Sequence, residues 1–119
     1  MNKLVIPAAL AACLVCSQAL AHAHLEKADP RVGSTVQAPP ARLWLRFNEV
    51  IRPNASGVQL VAPDGKATLL SLSRDPKDSR AVVAPLPAGL APGKYLVRWR
   101  ALSPDGHRTQ GDFSFSVKG

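Results

Sequence analysis

Sulfur is nearly missing from this chain. Its two cysteines, Cys13 and Cys16, both fall within the first 21 residues, and Met1 is the single methionine. Those 21 residues read as a secretory signal. Lys3 supplies the positive n-region, Leu4 to Ala12 and beyond an apolar h-region, and Ala19-Leu20-Ala21 an A-x-A cleavage site. Cutting 21 residues from 119 leaves a single 98-residue domain, 22–119, with no sulfur at all. That excludes disulfides and any soft-metal site built on thiolate or thioether, and it suits an oxidising compartment. Two other processing routes also fit the residues. Ala21-His22-Ala23 is itself A-x-A and would make His24 the first residue. Leu10-Ala11-Ala12-Cys13 resembles a lipobox, which would leave Cys13 acylated and His22 internal.

Other absences narrow the reading. The N-terminal apolar run is interrupted by Ser17 and Gln18. It falls short of the roughly 20 residues a membrane-spanning helix needs, so the mature chain is not membrane-embedded. Of 15 Lys and Arg, Lys3 goes with the signal, leaving 14 against 8 Asp and Glu, a net +6. These cations are scattered and nowhere form a run of five or six, so they read as a solvated surface rather than a nucleic-acid interface. No stretch keeps the i, i+3, i+4 spacing of an amphipathic helix, and there is no internal repeat. There is no Gly-rich phosphate loop and no paired-carboxylate hydrolase signature. Ser103 lies near His107, but no third partner for a triad is visible.

What is there is alternation at period two. Leu43, Leu45 and Phe47 alternate with Arg42, Trp44 and Arg46. Val58 and Leu60 begin a strand that ends at the turn Pro63-Asp64-Gly65-Lys66, with 67–72 as its hairpin partner. Arg74 to Ser79 is polar and reads as a loop, followed by a short strand over 81–84. Tyr95, Val97, Trp99 and Ala101 alternate with Leu96, Arg98, Arg100 and Leu102, and Phe113, Phe115 and Val117 with Ser114 and Ser116. Leu25 to Ala28 forms a first strand. Short strands with turns at this spacing predict an all-β fold, a Greek-key β-sandwich or barrel of about seven strands with immunoglobulin-like shape. Phe47, Trp99, Phe113 and Phe115 are expected in the core. Trp44 lies on the arginine-bearing side of its strand and is either half-exposed there or buried elsewhere in the sandwich.

The chemistry-bearing residues are few. Asp105 and His107 stand two apart in Ser103-Pro104-Asp105-Gly106-His107, so in extended backbone their side chains share a side. His22 and His24 are likewise i, i+2. As a mature N-terminus, His22 would present its α-amino nitrogen and ring Nδ1 to the same ion. Together these are nitrogen and oxygen donors, a set that suits Cu(II), with Zn(II) the competitor and the affinity order favouring copper. Glu49, at the end of a strand, is a candidate weak ligand or acceptor at the same site.

The chain resembles the periplasmic copper-resistance proteins called CopC over essentially all of 22–119. The resemblance rests on His22-Ala23-His24-Leu25 followed by Asp29-Pro30, on Leu45-Arg46-Phe47-Asn48-Glu49, on Leu90-Ala91-Pro92-Gly93-Lys94-Tyr95 leading into Val97-Arg98-Trp99, and on Ser103-Pro104-Asp105-Gly106-His107 through Gly111-Asp112-Phe113-Ser114-Phe115. It implies a seven-stranded Greek-key barrel or sandwich, cupredoxin-like in outline, located in the periplasm. It also implies a Cu(II) site made by His22, Asp105 and His107, with Glu49 nearby and His24 as the second histidine of members that begin His-Ala-His. Residues 57–80 lack the methionines that some members use for Cu(I), which implies Cu(II) alone. The implied function is a monomeric copper carrier or buffer in copper homeostasis and resistance, partnered by an inner-membrane copper permease, and not an enzyme. Two readings stand beside it: a copper mono-oxygenase-like enzyme using a histidine brace, and a metal-free adhesion or assembly module.

Overall fold

The alternating residues named above become the inward faces of two packed sheets. The structure, a computed structural model, describes residues 23–119. The expected signal over 1–21 and His22 lie outside the described residues. Strands β1 (Leu25–Asp29), β3 (Arg42–Phe47), β6 (Ser73–Asp75) and β7 (Asp78–Pro85) form a four-stranded sheet in the order β1-β3-β7-β6. Strands β2 (Thr35–Val36), β4 (Gly57–Val61), β5 (Ala67–Leu70), β8 (Gly93–Leu102) and β9 (Arg108–Val117) form a five-stranded sheet in the order β2-β9-β8-β4-β5. Neighbouring strands run antiparallel except β2, which runs parallel to the end of β9. One 3-10 turn, Pro53–Ala55, precedes β4.

The all-β, two-sheet class expected from the sequence is what the chain adopts. Its inner layer is Leu43, Leu45 and Phe47 of the four-stranded sheet against Tyr95, Val97, Trp99, Phe113 and Phe115 of the five-stranded one, all buried. The sheets are joined through aromatics: Phe47 meets Trp99 edge-on with ring centroids 5.2 Å apart. Tyr95 stacks on Phe115 at 5.5 Å and donates its hydroxyl to the Ala91 carbonyl at 2.6 Å, which satisfies its polar end. Gly111 is opposite Trp99 in the ladder, and a Cβ there would come within 2.5 Å of Trp99 Cζ2. The indole fits because that position carries no side chain.

Nine strand segments are present among the described residues, against the seven or so expected. One of the extra strands is β2, two residues long and too short to show a period. The other corrects a reading: Arg74–Ser79 is not a loop but the tip of the β6–β7 hairpin, a two-residue turn at 76–77 with the strand ends that flank it. Its polar residues lie at a sheet edge, where no apolar alternation is required. The turn is made by side chains instead: Asp75 Oδ1 accepts from the Lys77 amide and Asp78 Oδ1 from the Arg80 amide, each at 3.0 Å. The same hairpin decides the place of Trp44. It is half-buried on the outer face of the four-stranded sheet and donates Nε1–H to Asp75 Oδ2 at 2.7 Å.

Candidate metal site at one rim of the sandwich

The antiparallel registers put several chain ends at one end of the molecule. β1 begins beside the end of β3, with Leu25 opposite Phe47, and β4 begins beside the end of β8, with Gly57 opposite Arg100. β8 ends where β9 begins, so residues 103–107 cap the same rim. The crossover from β3 to β4 ties the two sheets together there. At its start the Asn48 amide donates to the His24 carbonyl at 3.0 Å, and the His24 amide donates to Asn48 Oδ1 at 2.7 Å. Farther on, the Arg52 amide donates to the Leu102 carbonyl at 2.9 Å. Thus β1's entry and the 103–107 loop lie on either side of a single strap, residues 48–52.

The loop is wired from inside. Ser103, only 1 % exposed, receives the amide of Gly106 at its carbonyl and gives its own amide to the His107 carbonyl, both at 3.0 Å. Gly106 has φ +92, a left-handed conformation that only glycine adopts without strain, and this brings His107 back toward Asp105. The Ser103 hydroxyl donates to Asp105 Oδ1 in a very short hydrogen bond. The ring Nδ1 of His107 lies 2.9 Å from Asp105 Oδ2, and the His107 amide is 3.3 Å from Oδ1. The Ser103 hydroxyl first, and then the His107 ring and amide, hold the Asp105 carboxyl well below the usual carboxylate range. Asp105 is therefore an anion throughout the neutral range. When Nδ1 carries the proton toward this carboxylate, the lone pair of the imidazole is on Nε2, the tautomer a metal-ligating histidine needs.

Of the candidates named from sequence, the structure brings Asp105 and His107 into contact. His24 and Glu49 are at the start of the strap: His24 is bound through its backbone to Asn48, and half-exposed Glu49 is the strap's next residue. Among the described residues no group of three or more His, Cys, Asp or Glu is close enough to hold a metal ion. Sequence reasoning passed over Ser103 as a failed nucleophile. Its buried hydroxyl donates to Asp105 Oδ1 and lies 3.2 Å from the His107 carbonyl, so it holds the aspartate and the loop in place. It also missed Asn48, the residue that fixes His24. The signals were a serine at i−2 to the aspartate and an amide residue just past the last inward position of β3.

The pair is exposed at the rim of the β-sandwich, its two side chains 55 % and 54 % exposed. The chain belongs to the CopC family: the CopC domain model matches residues 25–118. It is 36 % identical over 112 residues to protein YobA of Escherichia coli K12, covering 93 % of this chain and 90 % of that one. It is 35 % identical over 117 residues to copper resistance protein C of Pseudomonas syringae pv. tomato, covering 91 % and 90 %. In three dimensions it matches the crystal structure of CopC from Methylosinus trichosporium OB3b with a TM-score of 0.75 and 31 % identity, over 82 % of this chain and 94 % of that one.

Proposed function

We propose that the protein binds Cu(II) in the periplasm as a monomer and buffers or carries it in copper homeostasis and resistance, exchanging it with an inner-membrane copper permease. The observation that supports this most is the convergence at one rim of the Asp105–His107 pair and the entry of β1. Ala23, 2 % exposed, is packed into the core at that entry. The chain extends at most about 3.5 Å per residue, so two residues of chain from His24 reach about 7 Å. His22, as a free mature terminus, would add an amine and an imidazole to the pair, supplying the donors that the described residues lack.

The donor set of nitrogen and oxygen fits Cu(II), and the anionic Asp105 favours the divalent ion over Cu(I). That same carboxylate argues against the mono-oxygenase reading, which needs Cu(I) with an open position for dioxygen. Names carried by relatives, copper resistance protein C among them, agree with the binding reading.

The test compares the chain beginning at His22 with one carrying a single extra residue before it, in a Cu(II) competition titration against a chelator with EPR of the bound ion. The His22-first form binds more tightly by at least on the order of 100-fold, and His107→Ala loses a similar amount. Binding weakens as pH falls below about 8, since the free amine must be unprotonated to ligate. If the extended chain and a His24-first chain bind as tightly as the His22-first chain, the N-terminal chelate is wrong and a site of His24, Asp105 and His107 replaces it.

A further inference from the structure

The outward face of the five-stranded sheet carries a feature that metal binding does not use. The ladder sets Arg100 between Gly57 of β4 and Gln110 of β9, and Arg98 between Gln59 and Asp112. Arg108, the residue after His107, begins β9 on the same outward side. Together they line a concave groove of about 680 Å³ that starts at the metal-site rim and runs along the sheet. Concavity comes from missing side chains: Gly57 points outward, and a Cβ built on it meets nothing within 4 Å. At the far wall Leu69 of edge strand β5 is 77 % exposed. Among the described residues, Arg98, Arg100 and Arg108 make neither an ion pair nor a side-chain hydrogen bond. Three guanidinium forks thus stand without an ion pair in a groove that holds one carboxylate, Asp112 opposite Arg98, and has one apolar residue on its edge.

We propose that this groove docks an extended acidic segment of a partner protein, with carboxylates held by the three arginines and an apolar side chain against Leu69. Guanidinium pairs with carboxylate bidentately, so three such forks select for regularly spaced acids rather than for diffuse negative charge. A flat anionic bilayer cannot reach into a concave groove. A polyphosphate strand would find no exposed aromatic to stack on, since Trp99 is 7 % exposed. Because the groove opens onto the rim that carries His107, a segment seated in it would hold its parent protein next to the metal site.

The proposal is tested on the chain without added metal, so it stands or falls separately from the copper assignment. The probe is an N-acetylated decapeptide of glutamates and serines with one leucine, titrated into ¹⁵N-labelled protein. Amide shift changes should cluster on Gly57, Gln59, Arg98, Arg100, Arg108 and Gln110. Arg98→Ala/Arg100→Ala/Arg108→Ala should weaken binding by about tenfold or more, while Lys27→Ala/Lys66→Ala/Lys77→Ala, which removes as much charge elsewhere, should change it by less than about twofold. Gly57→Leu fills the groove without altering charge and should weaken binding by about fivefold. All of these positions are exposed or open, and an unchanged melting curve confirms that each variant folds. Shift changes scattered over the whole basic surface, or equal losses in the two triple variants, would overturn the proposal. So would phosphatidylglycerol vesicles that bind through the three arginines while the peptide does not.

Discussion

The two outer faces of the sandwich are both rich in arginine and use it in opposite ways. On the four-stranded sheet, Arg46 donates Nη1–H to Glu26 at 2.6 Å and Nε–H to Asp78 at 2.9 Å, and Trp44 is fastened to Asp75. That face is closed over by its own polar links. On the five-stranded sheet, Arg98, Arg100 and Arg108 face solvent in a groove, and order comes from beneath, where Trp99 rests on bare Gly111 and against Phe47. Charge satisfied within the fold contributes to the fold, whereas charge left over is available to something else. Composition alone, a net positive chain, cannot separate the two.

The contrast can be broken most strongly from below. Gly111→Ala drives a methyl into Trp99 and should destabilise the protein by about 1–3 kcal/mol, as overpacking does, whereas Gly57→Ala on the outward side should stay within about 0.5 kcal/mol of the parent. Urea unfolding of both variants decides it, and equal effects would mean the five-stranded face is not held by the indole.

Acid should act on the four-stranded face. The Lys77 amide, then Trp44, hold the Asp75 carboxyl below its usual range, and the Arg80 amide, then Arg46, do so for Asp78. A carboxyl lowered in the folded state contributes stability that is fully present above its unfolded pKa, about 3.9, and is lost as pH falls below that value. Melting temperature followed from pH 7 to pH 2.5 should therefore drop more in the parent than in Asp75→Asn/Asp78→Asn, which lacks both carboxylates. Parallel profiles would show that these links contribute nothing.

The smallest effect concerns single arginines. Arg46→Ala should lower the melting temperature by a few degrees, less in high salt, because partly exposed ion pairs are weak and screened. Arg100→Ala should leave the melting temperature unchanged. A loss from Arg100→Ala matching that from Arg46→Ala would erase the distinction between the faces.

Much of this arrangement was legible in the sequence, for physical reasons that also explain the gaps. Inward positions such as Leu43, Leu45 and Phe47, or Tyr95, Val97 and Trp99, must be apolar on one side only, so period two shows them. Ser73–Asp75 faces no such demand at its sheet edge, and its strand is specified by partners distant in sequence: Arg74 pairs with Val82 and Asp75 binds Trp44. The Asp105–His107 pair was visible because both residues lie in one short loop. The role of Ser103 depends on the turn at Gly106, and the strap formed by Asn48 and Arg52 depends on tertiary contact, so neither has a local pattern. His24 and Glu49 were grouped with the loop pair from chemistry alone; in space they belong to the start of the strap at Asn48, while Arg52 at its other end bonds Leu102 beside the loop.

The pairing of β2 with the end of β9 bears on how the protein can be handled. The Gly33 amide donates to the Ser114 carbonyl at 2.7 Å, and the Lys118 amide to Val36 at 2.9 Å, which pins the chain's last residues to the end of the sandwich opposite the rim. Strand β9 is 10 residues long and so spans about 33 Å. An affinity handle or dye joined after Gly119 would thus be a full strand length from Asp105 and His107. A handle placed at the entry of β1 would instead be at the rim where the 103–107 loop lies.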